Sequence, residues 1–67
     1  MWAARYNLAC AYARTGRLAD AYDVLQALLA KQPQYASLAA RDSELTALRN
    51  DPEYGARFAA LIGAAKH

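Results

Sequence analysis

Two amphipathic stretches flank Gly16, and too few residues separate them for anything but a hairpin. The first spans Trp2 to Arg14. Within it Leu8, Ala9 and Tyr12 fall at i, i+1 and i+4 on one face, and Trp2 and Arg5 carry that face one turn earlier. Tyr6, Cys10, Ala13 and Arg14 lie on an adjoining face. Thr15-Gly16 stops the helix, because glycine takes a left-handed conformation at a helix end at little cost. The second stretch spans Leu18 to Lys31. Leu18, Ala21, Tyr22, Leu25, Leu28 and Leu29 form a full apolar stripe at helical spacing. Asp20 and Asp23 sit in its first half and Lys31 in its last turn, as the helix dipole favours. Pro33 follows its end. The two helices must therefore run antiparallel.

The rest of the chain reads as further helices. Gln34 to Ala40 forms a third, with Tyr35, Leu38 and Ala39 as its apolar side. Arg41-Asp42 breaks it. Asp42 or Ser43 caps a very short helix over Glu44 to Arg49, with Leu45 and Leu48 three apart. Asn50 is placed to stop that helix in a left-handed conformation. Asp51-Pro52-Glu53 is a helix start: a cap, a proline at the first position and an acid in the first turn. The last helix reaches about Ala64, with Tyr54, Phe58, Leu61, Ile62 and Ala65 as its stripe and Gly63 weakening its end. Strand-like alternation is absent. The expected fold class is all-α, a single domain over 1–67.

Size sharpens this. A chain of 67 residues buries only about 60% of its unfolded surface, so its stability is marginal. One cysteine, Cys10, excludes an internal disulfide, and no Cys/His spacing suggests zinc. Close helix packing or association must supply the stability. The charge of +2, from eight Lys/Arg against six Asp/Glu, is weak and evenly spread. That argues against nucleic acid, whose recognition would need Arg5, Arg14, Arg17, Arg41, Arg49 and Arg57 to gather. No apolar run reaches the roughly 20 residues of a membrane span. Tyr6 and Asn7 interrupt any signal-peptide core, and the expected setting is reduced and cytoplasmic.

The tetratricopeptide pattern runs Trp, Leu-Gly, Tyr, Ala, Phe and Pro over about 34 residues. This chain resembles it over roughly 3–34, without insertion. Arg5 stands at the Trp position, Leu8-Ala9 at Leu-Gly, Tyr12 at Tyr, Gly16 at the turn, Ala21 at Ala, Leu25 at Phe and Pro33 at Pro. The departures at Arg5, Ala9 and Leu25 keep a small residue at the helix crossing and an apolar one in the core. No second copy follows, since one period after Leu8 and Ala21 stand Asp42 and Gly55. Asp42, Leu45, Leu48, Arg49, Asp51, Pro52 and Tyr54 are similar to the closing tail of many bacterial chains of this family.

The resemblance implies a helix pair over 3–33 and capping helices over 34–66, in right-handed solenoid-like stacking. It implies a non-enzymatic scaffold module for a peptide or partner protein, bound by the inner face or by the uncapped N-terminal edge. That inner face is Ala3, Tyr6, Asn7, Cys10, Ala13 and Arg14. Asn7 would bond a peptide backbone and Arg14 a carboxylate. The plainer reading of the same residues is a solvated helix face. Trp2 is either a cap over the first helix or a partner contact. The partner-binding candidates are thus Trp2, Tyr6, Asn7, Cys10 and Arg14. Tyr6, Tyr12, Tyr22 and Tyr35 read as packing residues before a binding strip, Cys10 as a small hydrophobe before a reactive thiol, and His67 as a mobile terminus. No catalytic set, phosphate loop, cofactor or metal motif is present. The exposed N-terminal side allows two alternatives, a piece of a longer array whose structural cap this is, or a homodimer.

Overall fold

The computed structural model describes residues 1–65; Lys66 and His67, with the reading of His67, lie outside the described residues. The fold is all-α. The helices are α1 (Trp2–Arg14), α2 (Leu18–Lys31), α3 (Tyr35–Ala39), α4 (Thr46–Arg49) and α5 (Tyr54–Ala65), with a single 3-10 turn at Ser43–Leu45 leading into α4. No described helix is long and apolar enough to cross a membrane.

The α1–α2 bend is built by hydrogen bonds the sequence could only hint at. Gly16 has φ of 84°. Its N–H donates to the Ala13 carbonyl, and the Arg17 N–H donates to the Tyr12 carbonyl at 2.9 Å. This pair of bonds satisfies carbonyls that the last helical turn would leave open. The Thr15 hydroxyl donates to the Ala11 carbonyl as well.

One core joins all five helices. Ala21, Leu25, Leu28 and Leu29 of α2 are buried, as are Leu45, Leu48, Phe58 and Ile62. The α1 contribution corrects the expectation. Its buried residues are Tyr6, Ala9, Cys10 and Ala13, at i, i+3, i+4 and i+7. Leu8 remains 44% exposed. The face carrying Leu8 and Tyr12 is the outer one, and the face bearing smaller side chains turns inward. Ala9 and Ala13 fit the crowded side on which α1 meets the rest of the core, where a side chain the size of Leu8 has less room.

α3 departs at one residue, for Ala39 and Tyr35 face the core as expected and Leu38 does not. Ala36 and Ala39 are buried, whereas Leu38 stays 44% exposed. Asn50 is a second correction. Its φ is −93°, so it ends α4 in a right-handed conformation. The chain turns there because Asp51 takes over at once. The Asp51 carboxylate accepts from the N–H groups of Glu53 and Tyr54, at 2.9 and 2.7 Å, and starts α5. The Asp42 carboxylate does likewise for the 3-10 turn, accepting from the Glu44 N–H at 2.9 Å.

Arg49 ties the short elements together. Its Nη2 donates to the carbonyls of Ala39 (3.2 Å) and Asp42 (2.8 Å), the last residue of α3 and the loop beyond it. Its Nε is buried without a hydrogen-bond partner. Gly55 lies against the same place. A Cβ on it would sit 2.6 Å from the Arg49 carbonyl oxygen, so only glycine lets α5 start this close to the end of α4.

Candidate functional site

α1 presents two surfaces, and they have different fates. The inner surface contains most of the residues proposed for partner binding. Tyr6 and Cys10 are each only 6% exposed and Ala13 is 1% exposed, so none of the three is open to a ligand. The chain itself occupies this surface. The Tyr6 ring stacks on Tyr35 with centroids 5.5 Å apart, and its hydroxyl donates to the Asp42 carboxylate at 2.6 Å. Arg14 pairs with Glu44 at 2.8 Å. The carboxylate expected from a ligand is therefore supplied by the protein. The expected binding face is corrected accordingly: only Ala3, Asn7 and Arg14 remain exposed along it.

Electrostatics fit a structural role here. Burial, reinforced by the hydrogen bond to Asp42, pushes the Tyr6 hydroxyl far above its ordinary range. The Tyr6 hydroxyl and then the Glu44 amide hold the Asp42 carboxyl below its usual value. Burial raises the Cys10 thiol, with the Asp42 and Glu44 charges adding to it and Arg14 opposing. A thiol held protonated is a poor nucleophile.

The outer surface is open. Trp2, Arg5, Leu8 and Tyr12 follow one another along α1 at steps of three or four residues, so they share a flank. Val24 and Ala27 of α2 face the same side. Between the helices lies a groove of about 320 Å³ lined by Arg5, Leu8, Asp23, Val24 and Ala27. Trp2, Tyr12 and Val24 are half-buried, resting on the core from outside. Two arginines lie across aromatic faces here, Arg5 at 5.0 Å from the Trp2 ring centre and Arg17 at 4.7 Å from that of Tyr12. Trp2 thus packs on the core as a cap over the start of α1.

A second groove of about 440 Å³ runs between Leu29, Ala30 and Pro33 on one wall and Leu61, Ala64 and Ala65 on the other. Among the described residues its lining carries no charge, and Gln26 is its one polar side chain. Five of the six arginines have partners within the chain. Arg14 and Arg17 are paired with Glu44 and Asp20, Arg49 with backbone carbonyls, and Arg5 and Arg57 lie over Trp2 and Tyr54.

No family model, curated protein or solved structure matches this chain. The geometry of the flank is therefore the basis for any functional reading. Leu8 and Val24 are the residues sequence reasoning assigned to the core or passed over. A signal for Leu8 was present: moving the α1 stripe to Tyr6, Ala9, Cys10 and Ala13 leaves it outside.

Proposed function

We propose that this chain is a non-enzymatic protein-interaction module that docks through the open α1–α2 flank. The observation that carries the reading is Leu8, 44% exposed beside a groove it shares with Val24 and Ala27. Half-buried Trp2 and Tyr12 extend the same strip. A continuous strip of this kind marks an interaction surface more often than a scattered exposed leucine does. The module is read as one helix-pair unit of the tetratricopeptide kind, closed on its other side by its own C-terminal helices. The spacing from Leu8 to Pro33 and the tail from Asp42 to Tyr54 support that reading. A lone protonated Cys10 suits a reduced, cytoplasmic setting.

A structural alternative rests on the same flank. In a longer array, a preceding helix pair would cover Leu8 and Val24, and this chain would be the terminal cap.

Site-specific photo-crosslinking in cells tests the reading. A crosslinking residue at position 8 is expected to give protein adducts, whether to a second copy or to another chain. The same residue at position 37, on the exposed side of α3, is the control. Equal yields at 8 and 37, or none at 8, would overturn the proposal.

A further inference from the structure

We infer that the occupant of the α1–α2 flank is a second copy of this chain, related by a two-fold axis lying in the plane of the flank. The inference rests on the reading of that flank as a docking surface and names its partner. Its warrant is charge. Arg5 and Asp23 rise from opposite helices and border one apolar groove. The ion pairs found among the described residues are Arg14–Glu44 and Arg17–Asp20, so neither Arg5 nor Asp23 is neutralised by a charge of its own chain there.

A groove bordered by one cation and one anion can be its own complement, and Arg17 further along the flank is already paired with Asp20. A two-fold axis passing midway between Arg5 and Asp23 carries Arg5 of each copy towards Asp23 of the other, and this is the placement inferred. Leu8 of each copy then enters the other's groove beside Val24 and Ala27. An acidic partner would satisfy Arg5 and be repelled by Asp23, and a basic one would do the reverse. A second copy satisfies both.

Area sets the strength. The chain exposes 4069 Å², and a standard interface takes about 800 Å² from each partner, about a fifth of that. Helices of 13 and 14 residues are about 20 Å long and pack about 9 Å apart. The flank they make together is roughly 20 Å square, which gives a footprint of about 400 Å². The dimer is therefore weak and concentration-dependent.

Sedimentation equilibrium between about 10 µM and about 1 mM tests this. The mean mass is expected to rise from that of one chain, 7.3 kDa, towards twice that value. Arg5→Glu alone and Asp23→Arg alone each place like charges opposite one another, and each is expected to weaken association roughly tenfold. Mixing the two variants in equal amounts restores opposite charges at both contacts, so association should recover. Both positions are exposed, and circular dichroism checks that each variant keeps its helices. A constant single-chain mass at every concentration overturns the inference. So does a mixture that associates no better than its components. If the chain stays single while a crosslinker at position 8 still captures another protein, the second copy is wrong and the docking surface stands. If both fail, both readings fall.

Discussion

Tyr6 ties the start of the chain to its middle, 36 residues away, through a single hydroxyl. The bond is part-buried and its acceptor is charged, a combination worth about 1.5–3 kcal/mol. Tyr6→Phe removes the bond and keeps the ring on Tyr35. The variant is expected to lose about 2 kcal/mol in urea denaturation at neutral pH. The pH dependence follows from the two shifts. The folded Asp42 carboxyl titrates below its unfolded value, so its contribution is present above about pH 4 and is lost as pH falls through the folded value. The folded Tyr6 hydroxyl titrates above its unfolded value, so its contribution is present below about pH 10 and is lost as pH rises beyond that. Tyr6→Phe should remove the Tyr6 share of the alkaline loss, leaving that of Cys10, and flatten the acid one. A variant whose stability profile runs parallel to that of the parent chain at both ends would contradict this account of the bond.

At the scale of the element, two glycines within one helix are expected to respond oppositely to the same substitution. Gly55 opens α5 against the end of α4, where a Cβ would lie 2.6 Å from a backbone carbonyl. Backbone cannot step aside as a side-chain tip can, so Gly55→Ala should cost about 1–3 kcal/mol. Gly63 lies in the last turns of α5 with open space around it. Gly63→Ala should gain about 0.5–1 kcal/mol through helix propensity alone. Thermal unfolding of the two variants reads both signs in one experiment, and a loss at both sites would mean that α5 packs differently near its end.

The difference also shows what the sequence exposes. Helix limits were legible because their signals are local: Gly16 at the bend, Pro33 after α2, Asp51-Pro52 before α5. The choice of buried face on α1 was less so. Both Leu8 with Tyr12 and Tyr6 with Cys10 lie at helical spacing, and the larger side chains drew the assignment. What decided the outcome was the approach of α1 to the rest of the core, which favours Ala9 and Ala13. That contact depends on where residues 35–45 return, as do the Tyr6–Asp42 bond and the Arg49 bonds to Ala39 and Asp42. Periodicity within one helix carries no information about that return.

The described residues form a body of 26 × 24 × 18 Å around one core, with the α1–α2 flank among its open surfaces. A domain of this size has little stability to spare, and its single cysteine gives it no internal crosslink. Anything that binds only the folded form therefore shifts its unfolding visibly. If the flank joins two copies, folding and association are linked, and the melting temperature must rise with protein concentration. In a domain this small each 1 kcal/mol moves the midpoint by about 4–8 °C. Leu8→Ser separates the two contributions, because Leu8 is 44% exposed and its loss should cost the isolated chain about 1–2 kcal/mol at every concentration. Scanning calorimetry between about 10 µM and about 1 mM should show the parent midpoint climbing by several degrees. The Leu8→Ser midpoint should stay level with concentration, several degrees below the parent's dilute value. Two level lines would show that the flank adds nothing to stability through self-association. Two equal slopes would place the contact elsewhere on the surface, with the groove between α2 and α5 the next to test.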